Sequence, residues 1–367
     1  MRRMLSGILV FVCFFTFNAF AAESPAAPLK SFRPGEIWPD TDGVHINAHG
    51  GGILVHENTY YWFGEHKTEG RRGNNAWVGV RCYSSKDLYN WKNEGVALSV
   101  VRDDPSHDIA AGCIIERPKV IYNAKTGKFV MWFHLELRGK GYTAARAGVA
   151  VADKVTGPYQ YLYSLRPNAG VWPENVTDED KQPGKDNFLA RDFEGGQMSR
   201  DMTLFVDDDG KAYHIYSAEE NYTLNISLLT DDYLKPAGKY VRVFPRGHME
   251  APTIFKHNGL YYFIGSECTG WNPNPAHSAV AKSIWGPWKE LGNPCQGEKT
   301  ETTFDSQSTY VLPLPNKPGC FIFMADRWRP QNAIDGRYVW LPIEFENNRP
   351  ILRWRDEWDL SVFDSKP

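Results

Sequence analysis

The sequence predicts an all-β fold, a five-bladed β-propeller. One observation is a repeated plan: "RDMTLFVDDDGKAYHIYS" (200–217) and "MEAPTIFKHNGLYYFIGS" (249–266) each run from a carboxylate through an apolar stretch and a polar turn into a tyrosine-rich strand. Asp201 lies eleven residues before Ala212, and Glu250 lies eleven before Tyr261. A second observation is spacing. Five such starts lie about 50 to 85 residues apart, room for four short strands and their loops. A third is composition: aromatics make up 14% of the chain, and helical periodicity is scarce. Five four-stranded units arranged radially hide most strand edges without disulfides.

The chain opens with "MRRMLSGILVFVCFFTFNAFAAES". A basic start, an apolar run and Ala19-Phe20-Ala21 read as a secretory signal peptide over residues 1–21. Secretion with a periplasmic destination is therefore expected. Cys13 has no small residues before it, which argues against a lipoprotein signal. No later segment is long and apolar enough to cross a bilayer, so no membrane insertion is expected after cleavage. Residues 36–363 read as a single propeller domain.

Blade one is "INAHGGGILVHENTYYWFGE" with "VGVRCYSSKDLYNWK" behind it. Blade two starts at Glu116 in "ERPKVIYNAKTGKFVMWFH", with a turn two residues longer, and continues in "AGVAVADKVTGPYQ". Blades three and four are the two opening segments, followed by "NISLLTDDYLKPAGKY" and "SAVAKSIWGPWKEL". Blade five is "DSQSTYVLPLPNKPGCFIFMADRW", starting near Gln307. Apolar–aromatic runs joined by Gly, Asn and Asp turns are hairpin signals. Residues 167–199 break the rhythm. They are rich in Pro, Asn and charge, and read as a solvated insertion between blades two and three.

The net charge of −3 points to neither nucleic acid nor an anionic membrane as partner. Cys82, Cys113, Cys268, Cys295 and Cys320 remain after cleavage. Their odd number and wide spacing fit neither a disulfide scaffold nor a zinc site, and one disulfide stays open. The histidines show no metal-ligand spacing. No cofactor or metal is expected.

In a propeller, the first strand of each blade lines the central channel. Glu116, Asp201, Glu250 and Gln307 start these strands in blades two to five. Strand packing does not require a carboxylate there, and charge in a narrow channel is costly unless paired, hydrated or used. Three acids in equivalent positions point to a site.

The motifs "DMTLFVDDDGKAY" and "MEAPTIFKHNGLYYFIGS" resemble the family 43 glycoside hydrolases, five-bladed propellers with an acidic central pocket. The resemblance covers roughly residues 36 to 363. It implies that Glu250 is the general acid and that Asp201 tunes its pKa. A like-charged neighbour raises a carboxyl pKa, which suits that pairing. An inverting reaction also needs a water-activating group across the sugar. Most family members supply an Asp in blade one; here the matching stretch is "INAHGGG", with His49 or Gly50 in its place. The branch lacking this Asp is the exo-β-1,3-galactanases, which the chain resembles in "ERPKVIYN", "YYWFGE" and "SQSTYV". That resemblance implies pocket roles for Glu116 and Gln307, with Gln307 orienting or activating the water. Glu116 stays open either as the base or as a hydroxyl ligand.

Glu65, Asn221, Thr269, Trp271 and Trp328 are further candidates for sugar contact, the two Trp by stacking. Arg117, Arg200 and Arg327 flank the motifs and are candidates to hold the carboxylates. A structural calcium occurs on the axis of many relatives, but nothing in this sequence specifies one. The resemblance implies an inverting, exo-acting enzyme on an oligo- or polysaccharide, with β-1,3-galactan preferred. An α-L-arabinofuranosidase, a β-xylosidase and a non-catalytic sugar-binding propeller are the alternatives.

Overall fold

The computed structural model describes residues 27–364; the predicted signal segment lies outside them. Five antiparallel blades form. Blade one holds His49–His56, Thr59–Glu65, Gly79–Ser85 and Lys92–Ser99. Blade two holds Ile114–Asn123, Lys128–Glu136, Arg146–Ala152 and Gln160–Leu165. Blade three holds Met202–Val206, Ala212–Ala218, Thr223–Leu229 and Pro236–Val243. Blade four holds Glu250–His257, Leu260–Ser266, Ala276–Ala281 and Lys289–Gly292. Blade five holds Gln307–Pro313, Phe321–Arg327, Arg337–Glu346 and Arg349–Arg353. It also carries a fifth strand that the sequence reading did not foresee: Cys295–Gln296 pairs parallel with the outermost strand. The five-bladed propeller read from the sequence is the observed fold.

The turns form where the sequence supplies left-handed residues. Glu57-Asn58 (φ 47°, 54°), Asn258-Gly259 (φ 50°, 74°) and Asn347-Asn348 (φ 51°, 59°) close two-residue hairpins. Two successive positive φ angles are what the right-handed strand twist demands of such a loop. The longer turn of blade two is held by Asn123, whose side-chain oxygen accepts from the Lys125 and Thr126 amides, both at 3.0 Å.

The inner strands form a closed ring, blade one lying against blades two and five. Its seam is covered by the N-terminal segment. Phe32 and Trp358 exchange backbone hydrogen bonds of 2.7 and 3.1 Å, and their rings stack at 4.3 Å. Buried Trp62, Trp91, Trp340 and Tyr338 fill the space between these two blades. Aromatic rings of this size dominate core energetics, so the seam is tied by packing rather than by a shared strand.

The insertion differs from its expected form. It carries a single helical turn, Phe188–Arg191, and three of its charges, Asp180, Arg191 and Asp192, are engaged. Asp180 accepts from Arg242 at 2.8 Å, Arg191 donates to Glu220 at 2.9 Å, and Asp192 is buried beside Arg191. Most of the charge run is exposed as expected, including Asp178, Glu179, Lys181, Lys185 and Asp186, and Asp180 of it docks on blade three. The five cysteines among the described residues are free thiols.

Candidate active site

One register rule builds the mouth of the channel. Each blade-start residue pairs with the end of its blade's second strand: His49 with Glu65, Glu116 with His134, Glu250 with Ser266, Gln307 with Asp326. Just ahead of the blade-three inner strand, the Ser217 amide donates to the Asp201 carbonyl at 2.9 Å. Four of these second-strand residues reach to the next blade. Glu65 accepts from the Arg117 amide at 2.9 Å, and Asp326 accepts from the Gly50 amide at 2.7 Å. Ser217 donates to the Met249 carbonyl at 2.9 Å, and Ser266 accepts from Gln307 Nε2 at 3.0 Å. His134 is the exception and turns to carboxylates of its own blade.

The pairing shifts register just after the starts of blades one, two and four. The following residues are left-handed: Gly50 (φ 60°), Arg117 (φ 55°) and Ala251 (φ 51°). Such bulges bend a strand and re-aim its side chains, which here directs Glu116 and Glu250 into the pocket. In blade one the same bulge explains the missing Asp. His49 is fully buried and stacks on Tyr338 at 5.4 Å. A Cβ on Gly50 would lie 2.0 Å from Glu65 Oε1. Glu65, from the neighbouring strand, holds the space where a blade-one side chain would project.

A cleft of about 230 Å³ results, lined by Glu65, Glu116, Asp201, Asn221, Glu250 and Gln307 among others. That is roughly the liquid volume of eight waters, suited to one sugar unit. Trp271 and Trp328 stand at its edge, 5.8 Å apart and near perpendicular. Trp271 is 42% exposed, an open ring face. Thr269 does not line the cleft. Its hydroxyl donates to the Asn272 carbonyl at 2.6 Å and accepts from Asn274 at 2.7 Å, so it shapes the loop that presents Trp271.

Buried Arg117 organises the floor. Its guanidinium donates to Asp201 at 2.7 Å, to Gln307 Oε1 at 2.6 Å and to the Ser308 carbonyl at 2.8 Å. Arg200 donates to the Tyr142 carbonyl at 2.7 Å and to Glu220 at 3.0 Å. Arg327 lies away from the cleft, donating to the Phe304 carbonyl at 2.8 Å and packing on Trp354. Two of the three flanking arginines thus serve the site. Below them, Lys119 donates to the Gly50 carbonyl at 2.8 Å. Burial pushes its pKa down to about 7 and pushes Asp326 up to about 7.

Glu250 is the mouth carboxyl held towards its protonated form. Burial, then the charge of Asp201, push its pKa up to about 8, against the opposing pull of Arg117. It accepts from Asn221 Nδ2 at 2.6 Å. Asp201 Oδ2 also accepts from the Ala251 amide at 3.1 Å, which fixes the two acids relative to each other. Asn221 ends a run of three left-handed residues, Glu219, Glu220 and Asn221 (φ 52°, 57°, 67°). Left-handed helical geometry costs about 1–2 kcal/mol per non-glycine residue, so its surroundings must hold this turn.

Glu116 is the opposite case. Burial alone would raise its pKa, but His134, through a hydrogen bond and its charge, then Lys67 and Asn74, outweigh that and hold it well below the usual carboxylate range. Its Oε1 accepts from Asn74 at 2.8 Å and from Tyr142 at 2.7 Å. His134 lies between Glu116 at 3.0 Å and Glu136 at 2.9 Å. These carboxylates overcome its burial and push its pKa up to about 9. Glu116, His134 and Asp201 bring ligand-type atoms within 4.8 Å of one another. With both imidazole nitrogens facing carboxylates and Asp201 bound to Arg117, this is a satisfied charge cluster rather than an open cation site.

Gln307 has a defined orientation. Arg117 Nη2 and Trp328 Nε1, at 2.6 and 2.9 Å, can only donate, so the facing atom is the amide oxygen. A carbonyl oxygen has two acceptor sites, and both are occupied. One Nε2 hydrogen goes to Ser266, and the other has no side-chain partner among the described residues.

Sequence reasoning missed Lys67, Asn74, His134, Tyr142 and Gly270. Lys67 pairs with Glu65 and Asn74, and lies 5.9 and 5.5 Å over the Trp271 and Trp328 rings. His134 was findable: it is the cross-strand partner of Glu116. Asn74 and Tyr142 sit on loops whose paths no periodicity reveals.

A solved β-1,3-galactosidase with galactodeoxynojirimycin superposes with a TM-score of 0.85 at 54% identity, covering 90% of this chain and 100% of that one. An exo-β-1,3-galactanase from Phanerochaete chrysosporium with galactose gives 0.74 at 34% identity, over 92% and 70% of the two chains. A β-D-galactofuranosidase of Aspergillus niger is 25% identical over 243 residues, 63% of this chain; the chain thus spans just under two thirds, 64%, of that enzyme. The chain matches the family described as Glycosyl hydrolases family 43 over residues 49–308. That span runs from the blade-one start to the residue after Gln307, taking in Glu65, Glu116, Asp201 and Glu250, and the chain belongs to that family.

Proposed function

We propose that the protein is a secreted, inverting, exo-acting β-1,3-galactosidase that removes galactose from the end of a β-1,3-galactan. The observation that carries this reading is Glu250, with its pKa pushed up to about 8 beside Asp201 in a cleft for one sugar. The substrates named for the two solved relatives support the choice of galactan over xylan or arabinan. A purely sugar-binding propeller would have no use for a raised acid beside a like charge.

The reaction follows from the contacts. The anomeric carbon–glycosidic oxygen bond breaks, and its electron pair stays on the leaving oxygen. That oxygen takes the proton of Glu250. A water bonds to the anomeric carbon from the opposite face and releases a proton to the solvent at the cleft mouth as that bond forms, the same equivalent that Glu250 takes back after product leaves, so the configuration inverts. Gln307 holds this water through its remaining N–H. Glu116 is a weak base with its pKa held low, so it acts as an acceptor for a sugar hydroxyl. Glu65 does the same on the other wall, and Trp271 offers its ring to the sugar's C–H face.

The product profile on β-1,3-galactan, arabinan and xylan oligosaccharides tests the reading. Galactose released one unit at a time from galactan alone is expected. Arabinose or xylose as the main product would replace it with one of the rival specificities.

Asp201→Asn tests how the acid is tuned. Glu250 is active while protonated, and the Asp201 charge helps keep it so. Without that charge its pKa falls, and the alkaline limb of the kcat/KM profile moves to lower pH. An unmoved alkaline limb with weaker binding would assign Asp201 to substrate contact instead.

A further inference from the structure

The insertion between blades two and three docks on the outer strand of blade three, Pro236–Val243. The Glu174 amide donates to the Tyr240 carbonyl at 2.8 Å. Asn175 and the Arg242 backbone exchange hydrogen bonds of 2.8 and 3.0 Å. Asp180 then accepts from Arg242 Nη1 at 2.8 Å. The same guanidinium donates to both oxygens of buried Glu219, at 2.6 and 2.8 Å. Arg191, also of the insertion, donates to one oxygen of Glu220 at 2.9 Å, and pocket-lining Arg200 donates to the other at 3.0 Å. Glu219 and Glu220 are the first two residues of the left-handed turn that ends at Asn221. Asn221 makes the 2.6 Å hydrogen bond to Glu250 Oε1.

We propose that the insertion is a brace on the general acid, acting through Asp180 and Arg191 on the Glu219-Glu220 turn to fix Asn221 against Glu250. This rests on the reading of Glu250 as proton donor and adds to it two positioning residues outside the cleft. Three consecutive left-handed residues without glycine do not hold that shape unaided. Each of the two carboxylates here is tied to a guanidinium supplied or gripped by the insertion. The consequence is chemical. With Asn221 donating to Oε1, that oxygen takes the carbonyl role of the protonated acid, and Oε2 is left to carry the transferable proton. A slack turn lets the carboxyl rotate and misplaces the proton.

Leaving-group dependence separates this role from general structural support. 2,4-Dinitrophenolate departs without a proton; a sugar alkoxide does not. The test compares β-1,3-galactobiose with 2,4-dinitrophenyl β-D-galactoside, using the full-length chain. Asp180→Asn/Arg191→Gln is expected to lower kcat on galactobiose by about ten-fold or more, because small misplacements of a catalytic group are expensive. KM should change little, and the aryl galactoside should stay within about two-fold of wild type. Asn221→Gly, which keeps the left-handed backbone and removes the amide from the cleft lining, should lower kcat on galactobiose more than on the aryl galactoside. If the double variant does not fold, Arg191→Gln alone, with its half-exposed side chain, carries the test in the same direction. Equal loss on both substrates, or no loss on galactobiose, overturns the brace. Glu250→Gln in parallel separates the two levels. If it is selective for galactobiose while the insertion variants are not, the acid reading stands and the brace is wrong. If it loses both substrates alike, the acid reading fails and the brace falls with it.

Discussion

Glu250→Gln is expected to lower kcat/KM on β-1,3-galactobiose by about 10² to 10⁴, the usual contribution of a general acid. That is about 3 to 5 kcal/mol of transition-state stabilisation. The size follows from the leaving group, since a sugar alkoxide cannot depart at neutral pH without a proton. Glu250 can supply it because burial and then Asp201 push its pKa up to about 8. Gln keeps the volume and keeps an oxygen for the Asn221 amide, so the fold and sugar affinity should survive. Calorimetric titration with galactose should give nearly unchanged affinity beside the lost turnover. Near-wild-type turnover in this variant would remove Glu250 from the role.

The second large effect concerns the water. Gln307→Ala is expected to reduce hydrolysis sharply while affinity for galactose persists. Its amide oxygen is bound by Arg117 and Trp328, and its one remaining N–H is the group that can hold a water. Glu116→Gln should behave differently. A carboxylate held well below the usual range by His134 and Lys67 is a poor proton acceptor. Its loss should therefore raise KM more than it lowers kcat, with no rescue by azide. Azide replaces an activated water only when the missing group was activating it, and the rescued product would be the inverted glycosyl azide. Azide rescue of Glu116→Gln, together with an active Gln307→Ala enzyme, would transfer the role to Glu116.

The mouth was legible in the sequence because one rule generates it. Asp201 and Glu250 recur at the same distance from their aromatic strands, and two-residue turns fix the register of the inner hairpins of blades one and four. Gln307 and Glu116 follow from the same plan. The rest depended on facts that spacing does not carry. Glu65 occupies the blade-one position only because Gly50 is left-handed and leaves room for it. Thr269 had the right neighbourhood, but a turn claims its hydroxyl. Arg327 sits one residue past Asp326 in an alternating strand, so it points away from the channel that Asp326 faces. The insertion reads as polar and proline-rich, yet Asp180 and Arg191 find partners on blade three that are distant in sequence. Composition reveals that a loop is charged, not what it is charged against.

The most direct measurement is the configuration of the galactose released from β-1,3-galactobiose whose reducing end has been converted to galactitol, followed by proton NMR before mutarotation. A protonated Glu250 on one face and a water held by Gln307 on the other predict α-galactose as the initial product. Initial β-galactose would mean that a carboxylate attacks the anomeric carbon directly, and the division of labour between Glu250 and Gln307 would be wrong.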